Sequence, residues 1–495
     1  MPDHPESTRR HARLIVRDSL AYLPAAVVPA LLALVGSAVF TRLFPPASYG
    51  VFQLMGAITG PILSITAQPA AQVANRYRAE FDIGDRLDQY RQAVSWFTVV
   101  TVGAMVVLAV LALLLWPLVH SRSVSELVLS GALAGLLASL VYNILTPALM
   151  ASIQVRSFRA VTIASEALAL VLPVLLVVGL GHNVAWLLWG NALAVIAVLP
   201  WLVRHADVLR RPRRLDREAT ATVKRFFAYG TPMALWFFGS SMLNTGDRYV
   251  IQAFSGAAAV GLYGANYALV KRGLGLLSEP LLNATGPRLL RQWAAGDRTG
   301  VRLTMKRITS LYLMLGCAMV GLIAAIGRPL VSLILARAFL PGAAILVPVT
   351  AGSVIWGASR IGHKSIEFVE KTHLMVGDVL AAVAVNMALN ILLVPRYGYV
   401  AAAYNTLAGF FVYTGLIWWQ ARALIPWDIP WTDFAAYAAA AAATYVVDEW
   451  VVLSQPWPTL LVMGVGGLVS VGLFASFVWI WFRIRRQNPL DWLTN

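Results

Sequence analysis

The residues of this chain that could do chemistry are few, and most of them interrupt apolar runs. Lys271 and Arg272 are adjacent cations inside the run 258–282. With the helix entering at Val260 they lie about 16–18 Å along it, near the middle of a hydrocarbon layer about 30 Å thick. An ionised side chain at that depth costs at least about 2.5–3.5 kcal/mol. Such a pair holds an anionic group in a water-filled cleft, forms an internal ion pair with an acid such as Glu166, or snorkels to the interface. Neighbours on a helix point about 100° apart, so both cations reach one cavity only if it is wide. Asp247 and Arg248 close the run 227–250 near the outer interface, as Arg42 closes the first run. They read as the outer mouth of a cavity, as interfacial anchors or as a structural pair, and Asp247 is also a candidate for ion coupling or an ion pair. Glu166 and Asp378 are lone acids in the runs 160–180 and 374–394. Each is a candidate for a coupling proton or sodium ion, or for pairing with a nearby base. Asn386 and Asn390 share one helix face at i, i+4, and either line a polar cavity or hydrogen-bond between helices.

Recognisable catalytic constellations are missing. No G-x-x-x-x-G-K-[ST] loop, G-x-S-x-G elbow or H-E-x-x-H helix occurs, and the acids are dispersed. The seven histidines show no zinc spacing, and one cysteine, Cys317, forms no disulfide framework. The sequence therefore predicts no catalytic residue, no metal and no cofactor, and the chain does not read as an enzyme.

The elements that must position these residues are membrane helices. Of 495 residues, 59% are hydrophobic and 13% charged, against about 45–50% and about 25% in soluble domains. Windows of about 20 apolar residues give fourteen spans: 19–41, 49–75, 92–119, 126–151, 160–180, 183–203, 227–250, 258–282, 308–327, 341–359, 374–394, 399–420, 431–447 and 457–482. The first is too long, and too closely followed by the second, to be a cleaved signal peptide. The net charge of +16 reads as basic loops facing anionic lipid, not as a nucleic-acid surface. With the N-terminus inside, 31 of the 39 Lys and Arg fall on the cytoplasmic side and six outside. This asymmetry predicts both termini in the cytoplasm.

The longest basic loop, 204–225, divides the chain into an N-terminal lobe (1–203), a C-terminal lobe (226–424) and two further helices with a tail (425–495). Two sets of six spans make a parallel repeat, whose weak trace is Tyr49-Gly50 matched by Tyr263-Gly264. The expectation is an all-α polytopic protein of two six-helix lobes plus two helices. Prolines at 24, 29, 61, 69, 147, 173, 232 and 280 mark kinks of the kind transporters use around a cavity.

Several segments carry a family resemblance. Phe40-Thr-Arg-Leu-Phe-Pro-Pro-Ala-Ser-Tyr-Gly-Val-Phe-Gln-Leu54, Tyr229-Gly-Thr-Pro232, Asp247-Arg-Tyr-Val-Ile251, Val260-Gly-Leu-Tyr-Gly264, Val385-Asn-Met-Ala-Leu-Asn390, Val394-Pro-Arg-Tyr-Gly398 and Ala401-Ala-Ala-Tyr-Asn-Thr406 occur in order over nearly the whole chain. The chain resembles the lipid-linked oligosaccharide (Wzx-type) flippases of the multidrug/oligosaccharidyl-lipid/polysaccharide exporter superfamily. The resemblance implies alternating access around a central cavity in the bacterial cytoplasmic membrane. It implies undecaprenyl-pyrophosphate-linked glycans as substrate, for O-antigen, capsule or exopolysaccharide synthesis. Polysaccharide polymerase and glycosyltransferases are the implied protein partners. The matching cavity cations are Lys271, Arg272, Arg248 and Arg42. A lipid II flippase and a drug/cation antiporter share the superfamily and stand as alternatives, with a membrane-embedded glycan polymerase or ligase further off. An antiporter cavity wants acids; the bases here favour an anionic cargo.

Overall fold

A computed structural model describes residues 24, 27–119, 125–152, 154–209, 217–451, 454, 455 and 457–485. Arg9, Arg10, Arg13, Arg17, Arg122, Arg210, Arg211, Arg213, Arg214 and Arg486 of the charge count lie outside the described residues. The described chain is all-α, and the described residues of all fourteen expected spans are largely helical. The helices are α1 (Val27–Leu43), α2 (Pro46–Thr66), α3 (Gln68–Ile83), α4 (Leu87–Val119), α5 (Glu126–Ala151), α6 (Val155–Leu180), α7 (Val184–Ala206), α8 (Arg217–Thr245), α9 (Asp247–Ala294), α10 (Arg298–Ile334), α11 (Leu346–Gly362), α12 (Lys364–Glu367), α13 (His373–Ala423), α14 (Trp431–Val451) and α15 (Thr459–Ile484), with a 3₁₀ turn at Arg337–Ile345.

Among the described residues, nine helices are long and apolar enough to cross a membrane. The difference from fourteen has physical causes. α13 is one continuous run bent at Gly398 (φ 67°), and its two arms are the expected eleventh and twelfth spans. α9 is bent likewise at Gly256 (φ 78°). Both angles are left-handed, where glycine meets no steric cost. α1 is described over Val27–Leu43 only, and α8, α9 and α14 fall short in apolarity because of the polar and charged residues within their length, among them Lys224 and Arg225 in α8, Asp247, Arg248, Lys271 and Arg272 in α9, and Asp433, Asp448 and Glu449 in α14.

The chain forms two compact units, residues 1–36 with 55–241 and residues 37–54 with 242–495, so the division runs through α1, α2 and α8. In the first unit α7 packs on α5 and α6, and α3 and α4 pack on α5. Gly190 lies against the backbone of Pro173 and Gly131 against Trp189, the close approach that small residues permit between membrane helices. α4 turns Val107, Leu108 and Leu114 outward, and α6 turns Leu175 and Val178, a surface that suits lipid. At one end Tyr77 stacks on Phe226 at 5.0 Å beside Phe81 and Tyr90. Over them Arg225 grips Glu80 with two bonds of 2.7 and 3.0 Å and lies 4.7 Å from the Tyr77 ring centre. That guanidinium holds the Glu80 carboxyl below its ordinary value. Arg91 binds the Asp207 carboxylate and, at 3.0 Å, Asp88.

In the second unit α10 packs on α11, α14 and α15, and α11 and α9 pack on α13. Gly50 and Gly261 let the first turn of α2 cross α9 backbone to backbone. A Cβ at Gly50 would strike the Ala257 carbonyl, and one at Gly261 the Pro46 carbonyl. Asp433 fastens α14 to α15 through Arg485 (3.0 Å) and the Trp481 indole (3.1 Å).

Candidate functional site

The site is built in the second unit on α9, the end of α8 and the two arms of α13. Tyr263, Tyr267 and Lys271 recur every four residues, so one face of α9 presents two phenols and an ammonium in line. The two tyrosine rings are 5.6 Å apart. Asp247 opens α9 nine residues before the turn at Gly256. At about 1.5 Å per residue this is some 13 Å below that turn. Asp247 is 0% exposed and Arg248 6%. The pair therefore sits inside the unit.

Asp247 ends a chain of hydrogen bonds that all point towards it. Asn405 Nδ2 donates to Asn390 Oδ1 (3.1 Å), Asn390 Nδ2 to Asn386 Oδ1 (3.1 Å), and Asn386 Nδ2 to Thr406 Oγ1 (3.3 Å). Thr406 Oγ1 donates to Asp247 Oδ2 (3.2 Å), and the Tyr263 hydroxyl donates to the same oxygen. Aligned dipoles of this kind favour negative charge at their acceptor end. Asp247 Oδ1 and Arg248 Nε are buried with no protein hydrogen-bond partner. Groups left so cost about 1–3 kcal/mol each.

Lys271 is held one layer further along. Its Nζ donates to Asn244 Oδ1 at 2.8 Å, and the Tyr267 hydroxyl donates to the same oxygen at 3.3 Å. The ammonium lies 5.6 Å from the ring centres of both Tyr267 and Phe410, and Arg248 lies 5.3 Å from the Tyr267 ring. One ring thus stands within cation–π reach of two cations. Arg272 points elsewhere: its guanidinium donates to Ser37 on α1. The 100° step along the helix separates the two cations as the sequence spacing requires.

The other expected site residues are dispersed. Arg42 donates to the carbonyls of Ile334 (2.7 Å) and Leu333 (3.1 Å) and so caps the C-terminal end of α10, where a cation meets the negative end of the helix dipole. Asp378 is 4% exposed and accepts from Gln420 Nε2 at 2.7 Å. Glu166 is half-buried on α6 in the first unit. Asn386 and Asn390 act between the arms of α13, as interhelical hydrogen bonds. No cluster of three or more His, Cys, Asp or Glu able to hold a metal occurs among the described residues.

Sequence reasoning missed Ser37, Asn244, Tyr263, Tyr267, Asn405, Thr406 and Phe410. The four-residue spacing of Tyr263, Tyr267 and Lys271 was visible. An aromatic stripe at helical spacing more often packs than binds, so it carried no signal alone.

The family model described as "Polysaccharide biosynthesis protein" matches residues 15–293. Among solved structures, the chain is similar to the lipid II flippase MurJ in an inward closed conformation, with TM-score 0.75, 12% identity, and 95% of this chain and 100% of that one covered. It is similar to a multidrug resistance MATE family transporter of the MOP superfamily in the inward-facing conformation, with TM-score 0.63, 12% identity, and 85% and 99% covered. It is also similar to the Vibrio cholerae MATE transporter VcmN, with TM-score 0.58, 14% identity, and 84% and 98% covered. A comparison with curated protein sequences gave no match. The structural likenesses give the fold, a helical multi-pass membrane fold shared with transporters.

Proposed function

We propose, because the chain belongs to the polysaccharide biosynthesis protein family, that it flips undecaprenyl-pyrophosphate-linked oligosaccharide repeat units across the bacterial cytoplasmic membrane for O-antigen, capsule or exopolysaccharide synthesis. The observation that carries this reading is the pair Lys271 and Arg272 on α9, the first fixed by Asn244 and the second by Ser37. A pyrophosphate offers several oxygens to more than one cation, and charge-assisted bonds to it are the strong kind. Lys271 presents a compact point charge between two aromatic faces, and Arg272 a planar fork about 100° round the same helix. Cations kept inside a membrane helix at a cost of a few kcal/mol suit an anionic head group that must cross the same layer.

The movement is by alternating access, with both termini in the cytoplasm, which the Lys and Arg distribution supports. Asp247 is the site of the coupling proton or sodium ion. Its carboxylate is the convergence point of the Asn405–Asn390–Asn386–Thr406 chain, and from Tyr263, which bonds it, Lys271 lies about two turns along α9 past Tyr267. Loading or unloading a positive charge at Asp247 therefore changes the field at the head-group cations. Polysaccharide polymerase and glycosyltransferases act after and before the flip.

The likeness to MurJ keeps lipid II, which also carries an undecaprenyl pyrophosphate, as the second reading. The test is head-group translocation in liposomes holding the purified chain, with a fluorescent undecaprenyl-pyrophosphate oligosaccharide, lipid II and a cationic dye as parallel cargoes. Flipping of the oligosaccharide lipid, lost in the Lys271→Ala/Arg272→Ala variant, supports the proposal. Preference for lipid II moves the assignment to the second reading, and dye transport without lipid flipping overturns both.

A further inference from the structure

A groove of about 630 Å³ lies in the second unit between α10, α11, the second arm of α13 and α14. Along α14 it reaches from Trp431 to Tyr445, fourteen residues or about 21 Å. Ala324 on α10 and Ala438 and Ala442 on α14 leave the room, while Gly321 lets α10 close on Ala441 of α14. None of its lining side chains is charged. One end differs from the rest, because Trp418, Trp427 and Trp431 gather there. Trp427 is 2% exposed and its indole N–H donates to Thr309 at 2.8 Å, while Trp431 meets Trp418 edge-on at 6.3 Å. Tryptophans collect at the depth of lipid head groups. The groove thus starts at one membrane interface and runs inward to the mid-bilayer.

The charge at that end is positive. The exposed Arg422 stacks on Trp418 with its guanidinium carbon 3.5 Å from the ring centre. The neighbouring acids are already engaged: Asp428 takes two bonds from Arg302, at 2.5 and 3.0 Å, and Asp433 pairs with Arg485.

We propose that this groove holds one acyl chain of an anionic bilayer phospholipid, with its head group against Arg422. The length decides for a phospholipid over the transported lipid. One leaflet is about 15 Å of hydrocarbon, which the groove contains with room for the glycerol. An undecaprenyl tail is much longer than the groove and would leave most of itself outside. The chain fills the space between α14 and the second arm of α13, so it is a resident part of the second unit and not a cargo.

The experiment uses the full chain in liposomes with phosphatidylglycerol carrying a photoreactive diazirine on its acyl chain, and maps the labelled residues by mass spectrometry. Labelling of α10 and α14 along the groove is expected to exceed that on the Leu175–Val178 face of α6 by tenfold or more. Ala438 and Ala442 are exposed and one turn apart, so Ala438→Trp/Ala442→Trp fills the groove without entering the core. That variant is expected to lose groove labelling while α6 labelling stays constant, which also reports that it folds. Arg422→Ala is expected to lower the preference for phosphatidylglycerol over phosphatidylcholine about fivefold, one basic side chain's share at an anionic surface. Equal labelling of the groove and the α6 face would mean ordinary bilayer contact and overturn the proposal. Displacement of the label by undecaprenyl phosphate would also overturn it, by giving the groove to the transported lipid's tail.

Discussion

Replacing Lys271 by methionine keeps the length of the side chain and removes its charge. The structure sets two opposite effects. Binding loses a charge-assisted hydrogen bond to phosphate, worth about 1.5–3 kcal/mol, or about ten- to 150-fold in affinity. Stability moves little or upward, since a cation inside a membrane helix costs about 2.5–3.5 kcal/mol on insertion and its loss more than offsets the bond to Asn244 at 2.8 Å. Asn244 Oδ1 keeps the Tyr267 hydroxyl at 3.3 Å as a donor, so no orphaned acceptor is created. The expected variant is as stable as the parent and defective in flipping. Two measurements on the same preparation check this: a thermal melt in detergent, and titration of the pyrophosphate lipid into liposomes. Full affinity together with a lowered melting temperature would refute the reasoning, because it would make Lys271 a structural tie to α8.

Asp247→Asn leaves an acceptor for Tyr263 and Thr406 but no charge. It is expected to abolish the dependence of flipping on a proton or sodium gradient while lipid binding persists, as read by flipping with and without an imposed gradient. Gly50→Ala places a methyl group against the Ala257 carbonyl and is expected to destabilise by about 1–3 kcal/mol. Gly56→Ala, with nothing within 4 Å of the new methyl, is neutral or stabilising by up to about 1 kcal/mol. Thermal melts of the two variants decide it. The lowered folded value of Glu80 means that its pairing with Arg225 is fully present above the ordinary carboxylate value of 4.5. It is lost as pH falls through the depressed one. The melting-temperature difference between the parent and Glu80→Gln is therefore expected near neutral pH and to vanish in acid.

The membrane helices were legible because each needs a long apolar run, and such runs are hard to hide. Lys271 and Arg272 were legible for the converse reason, since charge inside such a run is costly and conspicuous. Their partners were not. Asn244 and Ser37 lie 27 and 235 residues away in the chain from the cations they hold, and polar residues of that kind occur throughout the spans. Asp378 shows the same limit: its partner Gln420 is 42 residues on, on the other arm of α13. Arg42 looked like a cavity cation by analogy with Arg248. Only the fold shows that the end of α10 comes to it. The i, i+4 pair Asn386 and Asn390 announced a shared face. That the pair is fed by Asn405 and continues through Thr406 to Asp247 depends on the bend at Gly398, which folds the second arm of α13 back on the first.

The segment 37–54 has a topological consequence. Because it belongs to the second unit while its flanks belong to the first, the covalent chain passes between the units three times, after residues 36, 54 and 241. Residues 204–209 and 217–225, on either side of the basic linker, both belong to the first unit by the same division. A nick there severs no crossing, and each fragment of the nicked chain owns part of both units. Two separately expressed halves split in that stretch would be mutually templating pieces, each an incomplete scaffold until it meets the other.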